Sequence, residues 1–484
     1  VLSLGFGFKL GNIMTQMQQP KRWEILSWIP IAVGLFWLLA RDDGSWLIWA
    51  LLPGSVLLST GVALLLMPGD QRITAYMALA SVVGAVFAVI LFLFGNVGSA
   101  FICFIGSVGS FLVAGRVGLT SEPVEADAPL PEMSLEMDAK VGLDEALLGY
   151  FVAGVKAPAG EKAALMCQDV FKLEAIVKAK GWDQDTTGFH QAPPPPVNVA
   201  IEKKRIFGFD YEEMRWDSGF APDDALPGAS LWKLHKTNNQ STVRVMRHAG
   251  PSRPWLLCIH GYRMGVSWMD FGLFHPRWLY QNLGLNIVQP VLPLHGPRRI
   301  GARSGDHFLD GNILDLIHAE SQTLWDLRRT VAWIRQQDPN ARIGVLGISL
   351  GGYNASLLAS HEPGLDFVVA GIPVVDFASS LWRFMPPAYL RYFTASGLDE
   401  ERYRQTLNLV SPLSKPPLLD KERLLIFAGA GDRVVLPRHP IALSRHWGVP
   451  VNWFHGSHLS MRREPETRET LREAILRAGW PAVG

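Results

Sequence analysis

Four long stretches with almost no charged side chain open this chain: roughly Trp23–Ala40, Ser45–Met67, Ile73–Phe94 and Val97–Gly115, with Glu24 the one exception. About 20 residues of helix cross the hydrocarbon of a bilayer, and each stretch has about that length. Backbone N–H and C=O groups find no water there, so only a self-bonded helix suits such a stretch. The expectation is four transmembrane helices over residues 23–116. The first stretch alone could be a signal peptide, but no small-residue cleavage site precedes the second, and three more stretches follow.

Loop charge sets the expected orientation. Lys21 and Arg22 precede the first stretch, Arg72 lies between the second and third, and Arg116 follows the fourth, all on one side. The opposite loops hold Arg41, offset by Asp42 and Asp43, and a turn near Asn96. The excess of basic residues places the N-terminus and the long C-terminal part in the cytoplasm, on the plasma (inner) membrane. Gly106 and Ser110, four apart, either let two helices approach closely or are ordinary small residues of a span. Residues 1–22 form a flank to which no function is assigned, with Met14 or Met17 as a possible true start.

The apolar front accounts for a mean hydropathy of +0.14 over 484 residues, a length that calls for at least two structural units. Lys plus Arg is 45 and Asp plus Glu is 44, a balance that gives no general attraction to nucleic acid. Cys103, Cys167 and Cys258 are too widely spaced for a disulfide framework or a zinc site and read as buried thiols.

Residues 117–200 read as linker and adaptor. Glu122, Pro123, Glu125, Asp127, Pro129 and Pro131 mark a flexible acidic connector. Helical patterns follow near Asp144–Val152 and over Glu161–Lys180. The second sets Leu165, Val170, Leu173 and Val177 on one face, which either packs on the next domain or lies on the bilayer. Pro193 to Pro196 form a stiff spacer. Alternating segments around Tyr211–Trp216 and Thr242–Met246 suggest an antiparallel hairpin leading into a catalytic domain over 201–484, with its core from about residue 250.

From there short apolar strands alternate with helices. Strands are expected at Trp255–Ile259, Leu285–Val291, Arg342–Ile348, Phe367–Ile372, Leu424–Ala428 and Val451–Phe454, with a long helix from about Ala319 to Gln336. This is an α/β pattern with a mostly parallel sheet. Ser349 stands at a strand's carboxyl end within Gly347-x-Ser349-x-Gly351, a pattern that turns a strand sharply into a helix and exposes the serine.

A serine needs a base, an acid to orient that base, and donors for an oxyanion. Asp432 in "FAGAGDRVVLP" follows a strand and suits the acid, although a turn or helix-cap aspartate is the alternative. His458 in "FHGSHLS" suits the base, with His455 as its rival. The amide of Leu350, at a helix N-terminus, and that of Tyr262, after His260-Gly261, suit the oxyanion hole.

"IHGY" at 259–262, "GISLGG" at 347–352, "GAGDRVV" at 429–435 and "GSH" at 456–458 together resemble the α/β-hydrolase superfamily over the last ~235 residues. "PLHG" at 293–296 resembles the segment after that fold's fourth strand. The resemblance implies an eight-stranded sheet, a serine nucleophile and acyl transfer of the esterase or lipase kind, with no cofactor. It says nothing of the apolar front, and a G-G-G-x oxyanion motif is missing. His260, Gly261 and the loop arginines Arg298, Arg299 and Arg303 are possible substrate contacts; the arginines could equally be a solvated face. Asp306, His307 and Asp310 have no firm metal spacing. "SSLWRFMPPAYLRYF" at 379–393 should cap the pocket, lining an acyl site or only filling the cap's own core.

These readings predict a membrane-anchored serine hydrolase that acts on a small-molecule or lipid ester and binds no nucleic acid. A peptidase or thioesterase would use the same parts. A non-catalytic scaffold has no need of all three groups, and a transporter is disfavoured by the lack of intramembrane acids and bases.

Overall fold

In the computed structural model, residues 23–40 and 46–481 are described; Lys21, Arg22, Arg41, Asp42, Asp43, Met14 and Met17, used above for orientation and start, lie outside them. The chain divides into two compact units, 1–121 and 122–484.

The first unit has helices α1 (Trp23–Leu39), α2 (Trp46–Leu66), α3 (Gln71–Leu93) and α4 (Val97–Ser121). The last three are long and apolar enough to cross a membrane, whereas α1 is shorter. Each helix packs on two others. Gly106 is a true close approach: a Cβ there would lie 2.7 Å from Val33 of α1. Trp37 donates to Ser107 across the bundle at 3.3 Å.

The second unit begins with α5 (Leu135–Gly154) and α6 (Glu161–Ala179). These two helices, expected as an adaptor, belong to the same compact unit as the sheet. The apolar face of α6 is Ala163, Met166, Cys167, Val170 and Leu173, and Leu165 points to solvent. That face packs on the part that carries the sheet, the first of the two alternatives. The proline spacer is held in place, since Arg329 donates to the carbonyls of Pro194 and Pro195.

There follow β1 (Ala200–Ile206), β2 (Phe209–Asp217), α7 (Ala229–Lys233), β3 (Gln240–Met246), β4 (Trp255–Ile259), α8 (Ser267–Phe274) and β5 (Asn286–Pro290). Then come α9 (Ile313–Gln337), β6 (Ile343–Ile348), α10 (Leu350–Ala359), β7 (Phe367–Gly371), α11 (Phe377–Phe384), α12 (Pro387–Ala395) and α13 (Glu400–Thr406). The chain closes with β8 (Leu424–Gly429), α14 (Arg438–Trp447), β9 (Val451–Phe454) and α15 (Pro465–Arg477).

The nine strands form one sheet in the order β1-β2-β3-β5-β4-β6-β7-β8-β9. Strands β4 to β9 are parallel where they pair, and β1, β2 and β3 add antiparallel neighbours at one side. The ninth strand, β1, exceeds the eight expected. The two segments expected as a hairpin do pair, as β2 and β3, but α7 lies between them; the tight turn is Phe207-Gly208 between β1 and β2.

Strands β4, β6, β7 and β8 are buried throughout. Their alternate residues feed two cores. Trp255, Leu257, Ile259, Ile343 and Val345 face the layer that contains α9 and α10. Leu256, Cys258, Leu346 and Ile348 face the layer that contains α8 and α15. Burial on both faces explains why these strands read as unbroken apolar runs rather than as alternation. Their parallel direction puts every carboxyl end on one edge of the sheet.

Candidate active site

Ser349 sits on that edge, directly after β6. Its φ is 59°, a left-handed conformation that a side chain rarely adopts, and it is the cap residue of α10. The strand has no room to enter the helix more gently. A Cβ on Gly347 would lie 1.9 Å from the carbonyl oxygen of Gly351, and one on Gly351 would lie 1.9 Å from that of Ile259 in β4. The two glycines therefore allow the close crossing that lifts the serine clear, and Ser349 is partly exposed among buried neighbours.

The turn after β4 lies beside it, since a Cβ on Gly261 would be 3.6 Å from the Cβ of Ser349. The backbone N–H groups of Leu350 and Tyr262 donate to no other group among the described residues. Both stay open to receive an oxyanion.

Two strands further along, the turns after β8 and β9 bring Asp432 and His458 together. His458 Nδ1 and Asp432 Oδ2 are 2.8 Å apart, and both residues are buried. The carboxylate can only accept, so Nδ1 carries the proton and Nε2 keeps its lone pair. Asp432 Oδ1 accepts from the amides of Val434 and Val435 at 2.9 and 2.7 Å. Asp432 is thus a turn residue as well as the histidine's partner. It does not cap α14, whose first residue is Arg438. His455, the rival base, points to solvent just beyond β9.

Burial pushes the His458 imidazolium pKa down. The charge and hydrogen bond of Asp432, with the charge of Asp144 behind them, outweigh burial and hold the net value above that of an ordinary histidine.

Two proposed substrate contacts are corrected by their burial. His260 is 1% exposed; its Nδ1 bonds the carbonyl of Gly261 and its Nε2 accepts from the amide of Leu292. It pins the turn after β4 to the segment after β5. Arg298, also 1% exposed, gives its donors to the carbonyls of Asn238 and Val291 and to Asp326 at 2.7 Å. Neither has a polar atom left for a substrate. Arg299 bonds the carbonyl of Gly296 and is exposed. Arg303 is exposed and lies over the ring of Tyr150 on α5. Asp306 pairs with Arg263 at 2.8 Å. The aromatic segment forms α11 and α12; Met385, between them, and Phe393 are buried in the same core as α9 and α10, and Tyr392 stays exposed.

One residue escaped the reading of the sequence. Asp144 on α5 is fully buried, and its carboxylate reaches the turns after both β8 and β9. A signal was present: Met137, Val141 and Leu148 form an apolar stripe at 4–3–4 spacing in which Asp144 takes an inward position. A carboxylate at such a position needs partners.

A parallel sheet with a sharp serine turn, followed in order by a buried acid and its histidine, defines a serine hydrolase of the α/β-hydrolase fold. Residues 299–447, which include Ser349 and Asp432, match the prolyl oligopeptidase family. The chain belongs to one family with two Mycobacterium tuberculosis proteins, uncharacterized protein MT2702 of strain CDC 1551 / Oshkosh and uncharacterized protein Rv2627c of strain H37Rv. Each is 37% identical to it, over 302 and 300 residues, which is 62% of this chain and 72% of theirs. Among solved structures, similar folds include acetyl xylan esterase 1 from Thermoanaerobacterium sp., at 15% identity and a TM-score of 0.39 over 67% of this chain and 96% of that one. Another is the acetyl xylan esterase from Paenibacillus sp. R4, at 15% identity and a TM-score of 0.41 over 65% and 94%.

Proposed function

We propose that the protein is a membrane-anchored serine hydrolase that cleaves carboxylic esters or related acyl bonds. The observation that carries this reading is the 2.8 Å bond between Asp432 and His458 on the sheet edge that also bears the strained Ser349. In this reading His458 Nε2 takes the Ser349 proton as Oγ attacks the carbonyl carbon. Asp432 holds the ring in the required tautomer and stabilises its charged form. The amides of Leu350 and Tyr262 receive the negative oxygen. The imidazolium then protonates the leaving group, and water activated by the same histidine releases the acyl group.

The long apolar helices α2 to α4 support an anchor. With the catalytic part on the cytoplasmic face, the site would work near lipid, which favours an ester with an apolar acyl group. The match to the prolyl oligopeptidase family favours a second reading, a peptide bond as substrate. A fluorophosphonate probe tests the chemistry: the wild type should be labelled and Ser349→Ala should not. Equal labelling of both would end the triad assignment. A series of p-nitrophenyl esters of rising chain length, set against peptide p-nitroanilides, then separates ester from peptide preference.

A further inference from the structure

Helix α5 lies before the catalytic domain as the sequence delimits it and before the segment that matches the prolyl oligopeptidase family, yet it meets three loops of the site. Phe151 packs edge-on against Tyr262 with ring centres 5.2 Å apart, which touches the oxyanion turn. Glu145, fully buried, pairs with Arg433 at 2.8 Å, next to the acid. Asp144 does most. Its Oδ2 accepts from the amides of Arg433 at 3.1 Å and His458 at 2.8 Å. Its Oδ1 accepts from the amide of Leu459 at 3.0 Å and shares the hydroxyl proton of Ser457, at 2.9 Å, with the carbonyl of Lys140.

One carboxylate therefore collects donors from the turn that carries the acid and from the turn that carries the base. We propose that Asp144 is a positioning residue for His458, a clasp that holds the two turns at the spacing their hydrogen bond requires. This role rests on the serine hydrolase reading above. Nothing in the arrangement asks Asp144 to touch the substrate.

The cost of the clasp argues for its use. A buried carboxylate is expensive unless its oxygens are satisfied, and an apolar residue in the stripe of α5 would avoid that cost. Burial and the nearby Asp432 charge push its pKa up to about 7, against the pull of His458 and of the amide donors. The charges that bear on it are those of Asp432 and His458. On its own helix Lys140 is engaged by Glu136 and Glu464, and Glu145 by Arg433. From α11, Arg383 pairs with Glu122 and donates to the carbonyl of Arg433.

When ionised, Asp144 also adds negative charge beside the base. Removing that charge should ease deprotonation of His458 while loosening its turn. The test is Asp144→Asn in the full chain, purified in detergent, with a p-nitrophenyl ester as substrate. The expected result is a kcat lower by about 10²-fold, KM within about twofold, and an acid limb of the kcat/KM profile moved to lower pH. A residue that only supports the fold would leave the limb where it is, and an unmoved limb overturns the proposal. If Asp144→Asn does not fold, Ser457→Ala removes one of the four bonds and no charge. Its hydroxyl also lies 2.9 Å from the carbonyl of Lys140, so both contacts it loses tie the His458 turn to α5. The variant should lower kcat several-fold at unchanged KM, and an unchanged kcat overturns the proposal. Failure of the parent reading looks different: hydrolysis by the wild type would then survive Ser349→Ala.

Discussion

The turns after β4 and β5 and the turns after β8 and β9 hold buried histidines in opposite states. His260 and His295, at the first pair, are wholly buried, and burial drives each pKa down to about 3. They stay neutral: His260 spends both nitrogens on backbone, and His295 bonds the carbonyl of Pro293 through Nδ1. His458, at the second pair, is also buried, but Asp432 beside it and Asp144 behind it raise its pKa. Depth does not make a base; a carboxylate against Nδ1 does. The first pair of turns shapes the site, and in the proposed reading the second supplies its proton transfer.

The contrast predicts losses of different kinds. The largest is in activity: Ser349→Ala should lower kcat/KM by about 10⁴-fold or more with little change in thermal unfolding, and His458→Ala should lower it as far while also destabilising the fold, since it leaves Asp432 buried without its imidazole. A loss below tenfold would remove the second pair of turns from the chemistry. Next comes Arg298→Met, which strips buried Asp326 of the guanidinium on Oδ2, leaving the Ser218 and Ser241 hydroxyls on Oδ1, and should cost about 3–5 kcal/mol of stability. Denaturant unfolding measures it, and the fluorophosphonate label should persist on the fraction that folds.

His260→Leu leaves the Leu292 amide without its acceptor and should cost about 1–3 kcal/mol. If it instead spared stability and abolished labelling, His260 would belong to the chemistry. A further effect concerns pH. A histidine whose folded pKa lies at about 3 weakens the fold as pH falls from about 6.5, by about 1.4 kcal/mol per unit for each such residue. His458 has the opposite sign. Its pairing with Asp432 stabilises fully below the ordinary histidine pKa and fades as pH rises through its raised value. Activity, which needs the neutral ring, rises over that same interval. Urea midpoints and kcat/KM should therefore diverge above about pH 6.5, where the buried neutral histidines no longer change stability.

The parallel half of the sheet was legible because strands buried on both faces leave apolar runs between turn residues, and the boundaries of β4 and β9 fell where the runs end. Ser349, Asp432 and His458 were legible because each follows such a run. The edge strand β1 was not, since Glu202, Lys203, Lys204 and Arg205 carry no apolar pattern. His260 and Arg298 were misjudged for a common reason: residue type shows what a side chain can bond, while burial decides what it does bond. Asp144 was hidden because a carboxylate in a helix ordinarily faces water, and its four donors come from turns about 290 to 315 positions later in the chain.

The charged strand β1 has a consequence for assembly. It is the outermost strand on its side of the sheet, and its backbone edge would be a template for another chain. Lys203 and Arg205 project into water there, while Lys204 reaches back to Glu213 at 2.8 Å. A newcomer lying along β1 would have to strip hydration from these cations and set its own backbone among them. That flank of the sheet is self-limiting, so ribbons built by adding strands end before they begin, and copies of this protein must meet, if they meet, by some other face.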